Sequence, residues 1–223
     1  MKVLSLNVGA ARTFAYRGGD VATGIYKSLV DGARFFGRDN VAGDTVVDLT
    51  VHGGTHKAAY LYPAEHYDSW RAELSGVELP YGFFGENLTV SGMNEQSLCI
   101  GDRLTMGNAE FIVSEPRFPC FKLGARAGTQ SFVKRFLDSG RTGVYLFVAR
   151  EGHVRTGDDI AITERDPRAV PVSEFVRVYA HAKSAHHDAH DIDILERLLQ
   201  TDILDAPWRA RFTQRLADLT GAL

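Results

Sequence analysis

Cysteine is scarce in this 223-residue chain, with Cys99 and Cys120 its two examples. A secreted scaffold stapled by disulfides uses more, so both are expected to be reduced thiols in the cytoplasm. No segment approaches the ~20 apolar residues of a membrane span. The start, MKVLSLNVGAARTF, lacks the charged n-region and the roughly 7–15-residue apolar run of a secretory signal. No charge dominates either: 25 Lys and Arg stand against 28 Asp and Glu, for a net charge of -3. That argues against a broad nucleic-acid surface, which needs a basic excess, and leaves room for a small basic pocket for a phosphate. Internal repeats and low-complexity tracts are missing as well.

What is present is ordinary globular material, 44% apolar and 24% charged, enough for a sizeable core. Residues 1–165 read mainly as β. Short β-branched or aromatic runs occur at Met1–Val8, Gly24–Val30, Thr45–Val51, Ala58–Tyr62, Asn87–Val90, Ser97–Ile100, Arg103–Met106, Glu110–Val113, Gly143–Ala149, His153–Arg155 and Asp159–Thr163. Many short strands between Gly, Asn and Asp turns suggest a barrel or sandwich. Gly107-Asn108 and Glu151-Gly152 look like local reversals. Short helices interrupt the strands, one opened by Pro63 with Tyr67, Trp70 and Leu74, one carrying Phe132, Val133, Phe136 and Leu137. A polar stretch at Arg165–Arg168 is the expected linker. Residues 168–223 then read as three helices, marked by Phe175, Val176 and Tyr179, by Ile194, Leu195, Leu198 and Leu199, and by Trp208, Phe212, Leu216 and Leu219. So small a unit packs on the barrel or on a partner chain, as in a homodimer.

Three segments carry chemistry. In Ser114-Glu115-Pro116-Arg117-Phe118-Pro119-Cys120-Phe121-Lys122, a β run ends, two prolines bracket a turn and a helix follows. A cysteine at a helix start feels the positive dipole end, and Arg117 and Lys122 add to it, favouring thiolate, the form that binds metal. A buried structural thiol is the other reading, and it is the one for Cys99. In Val51-His52-Gly53-Gly54-Thr55-His56-Lys57, paired glycines let backbone approach a ligand while the flanking His and Lys meet an anion; a plain turn is the alternative. In Gly82-Phe83-Phe84-Gly85-Glu86-Asn87, Glu86 and Asn87 could hydrogen-bond a heterocycle or simply shape a packed loop. The histidines His181, His186, His187 and His190 read as a solvated loop between helices rather than a zinc site, since no cysteine accompanies them.

HGGTHKAAYLYPAEHY, FGENLTVSGMNE, IGDRLTMGNAEFIVSEPRFPCFKL and GRTGVYLFV occur in that order. Together they resemble the MOSC domain, the module named for the C-terminal part of molybdenum-cofactor sulfurases, and within it the YiiM-like branch with its three-helix tail. The resemblance implies a MOSC-type β-barrel over 1–165 and a helical domain over 168–223. It implies a molybdopterin cofactor with a phosphate tail, and carries the metal-binding, catalytic cysteine onto Cys120 in a P-R-x-P-C pattern. It places His52, Gly53, Gly54 and Lys57, and Gly85, Glu86 and Asn87, near one cleft, with Arg117, Lys122, Arg126 and Arg141 as phosphate partners. There are departures. Gly43 and Asp44 keep a family glycine–aspartate pair, but Thr45-Val46 stand where the family has an acid–amide pair, and Thr55-His56 where it has proline and aspartate.

The function so implied is reduction of N-hydroxylated compounds, base analogues and amidoximes among them. No Rossmann fingerprint, flavin motif or cysteine set for an iron–sulfur cluster is seen, so electrons must come from a separate reductase or small redox protein. The alternative is a carrier that holds a persulfide on Cys120 or delivers the cofactor. A cysteine hydrolase lacks an identifiable His and Asn to go with Cys120.

Overall fold

The structure, a computed structural model, describes residues 1–49, 53–180 and 189–221. Along the chain these form β1 (Lys2–Val8), β2 (Arg12–Tyr16), β3 (Gly19–Thr23), β4 (Ser28–Leu29), β5 (Arg34–Phe36), a 3-10 turn at Thr55–Lys57, β6 (Ala59–Pro63), α1 (Glu65–Glu73), β7 (Leu88–Ser91), β8 (Arg103–Met106) and β9 (Ala109–Pro116). There follow α2 (Phe121–Arg126), α3 (Ser131–Asp138), β10 (Val144–Arg150), β11 (Gly152–Val154), β12 (Ile160–Glu164), α4 (Val172–Ala180), α5 (Ala189–Leu199) and α6 (Ala206–Thr220). No helix among the described residues is long and apolar enough to cross a membrane.

The centre is an eight-stranded sheet in the order β12-β8-β9-β10-β6-β7-β1-β4. Its neighbours are antiparallel except β6 and β7, which run parallel. Period-2 patterning explains the middle: β10 buries Val144, Leu146 and Val148 and turns the residues between them toward the other face. Opposite them β9 sets Val113 against Leu146 and Phe111 against Val148.

Two expectations need correction. The fold is not mainly β, because helices contribute about as many residues as strands. Nor do the described residues form a closed barrel. Closure requires a ladder on both sides of every strand, and here β12 and β4 are edges. The β12 end meets the start of β1 through an isolated bridge, Lys2 to Asp159, and backbone bonds such as Val3 N–H to Asp158 O at 3.0 Å and Ile160 N–H to Met1 O at 3.0 Å, without forming a full ladder. Two of the expected strands are largely absent among the described residues. Gly24–Val30 keeps only Ser28–Leu29, and Thr45 to Leu49 is a loop. The two loops press together at Gly24, where a Cβ would lie 2.0 Å from the Thr45 carbonyl oxygen. Ser97–Ile100 is a turn rather than a strand.

Turn chemistry fared unevenly. Gly107-Asn108 does close the β8–β9 hairpin. At Glu151 the chain does not fold back, and β11 pairs with β5 instead. The β2–β3 hairpin was missed because its turn is Arg17-Gly18, both at positive φ, 50° and 82°; that is the backbone of a type I′ turn, with arginine where asparagine is usual.

The three C-terminal helices form, and their apolar stripes join the sheet in one continuous core. Phe175, Leu195, Leu198 and Phe212 belong to the same buried cluster as Phe111 and Leu146. Phe118, just beyond β9, contacts Tyr179 and Trp208 at ring distances of 4.3 and 5.1 Å. Helix α6 starts cleanly: the Asp205 side chain accepts from the Trp208 backbone N–H at 3.0 Å, with Pro207 in the first turn. A second cluster, aromatic, packs α1 and α3 together, Trp70 lying flat on Phe136 at 5.6 Å.

Candidate functional site

A cleft partly open to solvent, with a cavity volume of about 90 Å³, lies where several loops converge on the sheet. Gly24, Ile25 and Lys27 wall it from the segment after β3, and Asn40 and Asp44–Asp48 from the loop after β5. Lys57, Ala58 and Tyr60 close one side, Phe84, Gly85 and Asn87 another, and Arg117, Cys120, Lys122 and Tyr145 the floor.

Cys120 is the N-cap of α2, held in extended backbone (φ -120°, ψ 173°), while its carbonyl accepts the Leu123 N–H at 3.0 Å. The helix that follows is only six residues long. The β9 strand ends at Pro116, so the chain between strand and helix is short and the cysteine is fixed at the cleft. Arg117 lies beneath it, 5% exposed. Its guanidinium sits 5.7 Å from the Tyr60 ring and 5.6 Å from Phe136. Burial works against this charge, while Tyr60, Tyr145 and Cys120 favour it, and the balance lies above the ordinary value. One nitrogen, Nη1, is buried without a hydrogen-bond partner among the described residues. An orphaned donor on a cationic group is costly, and an acceptor at Nη1 would lower that cost.

Asp44 organises the opposite wall. Its carboxylate accepts from the Gly9 N–H at 2.9 Å, from Asn87 Nδ2 at 2.9 Å, and from the Lys27 ammonium. Burial pushes the Lys27 amine down, and Asp44 opposes that shift. Asn87 also pins β6, its Oδ1 accepting from the Tyr60 N–H at 3.1 Å. Burial raises the Tyr145 phenol to about 12, with Arg117 opposing. Asp44, Lys27, Tyr60 and Tyr145 were missed as site residues. The glycine–aspartate pair at Gly43-Asp44 was the one available signal.

Several expected site residues serve elsewhere. Glu86 is fully buried, and its carboxylate is occupied by the chain's own donors: Tyr67, Gly82 N–H, Phe84 N–H and Thr89. It shapes the loop that carries Gly85 and Asn87 to the cleft. Arg126 donates to the carbonyls of Ile25 and Gly82, the latter at 2.9 Å, so it braces the wall from behind. Arg141 stacks over Trp70, 3.7 Å from the ring centre, and pairs with Glu73 at 2.5 Å in the second cluster, away from the cleft. Gly53 packs on Leu49, and Gly54 (φ 99°) precedes the 3-10 turn that presents Lys57. His52, His181, His186 and His187 lie outside the described residues; His190 pairs with Glu174 at 2.9 Å. Cys99 lies outside the cleft lining, its N–H given to Asp102 at 2.9 Å and its thiol raised by burial.

Lys57 reaches Glu115 at 3.4 Å. Burial lifts this carboxyl to about 7; Lys57 opposes the rise and Asp205 adds to it. A folded-state value above the ordinary 4.5 means that ionisation costs the folded protein. The stability tied to neutral Glu115 is complete below that ordinary value and is lost as pH rises through about 7, on the order of 3 kcal/mol over the full range. Glu115→Gln stays neutral throughout. Its melting temperature relative to the wild type should therefore move in its favour between acidic and mildly alkaline pH. Melts whose separation does not change with pH would contradict this account.

The MOSC domain family matches residues 48–161. The Bacillus subtilis (strain 168) protein YflK, described as uncharacterized, is 38% identical over 213 residues, covering 96% of this chain and 93% of that protein. A protein named Reductase from Gibberella moniliformis is 38% identical over 151 residues, 66% of this chain but 27% of that protein. The crystal structure of YiiM from Geobacillus stearothermophilus superposes with a TM-score of 0.78 at 28% identity, covering 97% of this chain and 99% of that one.

Proposed function

From the premise that this chain belongs to the MOSC domain family, we propose that its cleft holds the molybdenum cofactor through Cys120 and that the protein reduces N-hydroxylated compounds. What carries this reading is the meeting of one thiol with Arg117, Lys57 and Lys122 on a single cleft surface. The donor set fits the group: a soft sulfur suits molybdenum, and the orphaned Arg117 nitrogen and two lysines suit an anionic pterin phosphate. When bound, the cofactor supplies a metal that cycles between oxidised and reduced states.

The chain's own residues do the rest. Cys120 anchors, Arg117 and the lysines balance negative charge, and Tyr60, Phe84 and Tyr145 give the cleft apolar walls that narrow access for water. Overall the N–O bond of an amidoxime or hydroxylated base analogue is cleaved with two electrons and two protons, giving the N–H compound and water. The electrons come from a separate reductase or small redox protein. The name of the Gibberella relative supports a redox role over a carrier role.

Expression in a host that makes molybdopterin, followed by metal analysis and dye-driven reduction of an amidoxime, tests this. Near-stoichiometric molybdenum with turnover is the expected result. Labile sulfane sulfur on Cys120 with no molybdenum would replace the reading with a sulfur carrier.

A further inference from the structure

The C-terminal helices reach the cleft through one chain of contacts. Trp208, in the first turn of α6, donates its indole N–H to Glu115 Oε2 at 2.6 Å, and the other oxygen of that carboxyl, Oε1, faces Lys57 Nζ at 3.4 Å. Glu115 is 3% exposed. It sits in β9 opposite Tyr145, itself a cleft residue. Trp208 is fixed in turn by Phe118, Phe175 and Phe212, with ring distances of 5.1, 5.0 and 5.5 Å. A carboxyl held on one oxygen by a rigid indole has its second oxygen aimed, so the ammonium beyond it is aimed too.

We infer that Trp208 and Glu115 are positioning residues for Lys57, through which the seating of the helical tail sets where a cation stands on the cleft wall. The inference needs no commitment to the reaction carried out in the cleft. The groups facing Glu115 are Lys57 from the 3-10 turn, Trp208 and Asp205 from the α6 end, and Tyr145 from β10. Neutral Glu115 keeps its bond to the indole but loses its pull on the ammonium, so the link is graded by pH near 7. Trp208→Phe keeps an aromatic ring against Phe118 and Phe175 and removes only the donor. Glu115→Gln keeps the shape and an acceptor for the indole and removes the charge.

The test is competitive acetylation of the metal-free chain with acetic anhydride, read by mass spectrometry as Lys57 labelling relative to Lys134 on the surface of α3. Circular dichroism confirms that each variant is folded under the conditions used. In the wild type, the carboxylate engages Lys57 and labelling is slow. In Glu115→Gln and in Trp208→Phe it should rise several-fold, more in the former. A merely structural pair would lower stability and leave this ratio unmoved. Indole fluorescence should titrate near pH 7 in the wild type, and that transition should vanish in Glu115→Gln. Wild-type Lys57 labelling in either variant, or an indole transition that survives in Glu115→Gln, overturns the inference.

Discussion

Cys120→Ser is expected to fold like the wild type and to lose its molybdenum and its N-reductase activity together. The fold should tolerate it because the residue is the N-cap of α2 in extended backbone, where serine is among the favoured residues. The chemistry should not. A hydroxyl is a harder group with a far higher pKa, and a neutral oxygen does not replace a soft thiolate on molybdenum. Residues behind a metal ligand cost ~10–100-fold when changed, so removal of the ligand itself should exceed that and take the rate to background. Cys99→Ser is the control. Cys99 is half-buried on a turn, its backbone bridged to Pro171, and lies outside the cleft lining, so loss of its thiol should cost a little stability and no metal. Three measurements on each variant decide the matter: melting temperature, molybdenum per chain and the rate with an amidoxime. A Cys120→Ser protein that turns over at the wild-type rate removes the basis of the proposed function.

Much of the frame could be read in the sequence because its signals are local. The alternation in VYLFVAR and AEFIVSEP fixes which residues of β10 and β9 face the core, and the stripes of α4, α5 and α6 follow helical spacing. Cys120 stood out as a candidate because the strand end, the prolines and the cysteine lie within a few residues, and it lines the cleft. What could not be read depends on distant partners. The run from Thr45 has the β-branched composition of a strand, yet over its described residues 45–49 it has no ladder partner and becomes cleft wall. Arg126 and Arg141 have the chemistry to grip a phosphate, and nothing local shows that backbone carbonyls and Glu73 already hold them. Lys27 looks like any surface lysine until Asp44 is placed beside it in the fold. Trp208 and Glu115 are 93 positions apart.

Glu86→Ala should be among the most damaging single substitutions in the chain, although the residue touches no ligand. Its sequence context offered two roles, contact with a heterocycle or support of a loop, and the geometry assigns the second. The carboxylate is fully buried. One oxygen accepts from the Gly82 N–H at 2.7 Å, from Thr89 Oγ1 at 2.9 Å and from the Tyr67 hydroxyl; the other accepts from the Phe84 N–H at 3.1 Å. Burial raises its pKa, and those bonds oppose the rise. Truncation leaves four donors unsatisfied beside the aromatic cluster of Tyr67, Trp70 and Phe84. Each buried orphan costs about 1–3 kcal/mol, and four at the low end of that range come to about 4 kcal/mol. A loss of about 4 kcal/mol is therefore expected, a large part of the ~5–15 kcal/mol that holds a domain folded. Glu86→Gln keeps the volume and one acceptor oxygen but turns an N–H pair toward a site that needs an acceptor, so it should cost about 1–2 kcal/mol, near one lost partner. Urea unfolding of both variants gives the comparison. The loop from Gly82 to Asn87 depends on this carboxylate, so Glu86→Ala should also weaken ligand retention in the cleft before the chain unfolds. An alanine variant within about 1 kcal/mol of the wild type would mean that the donors find other partners and that the loop does not hang on Glu86.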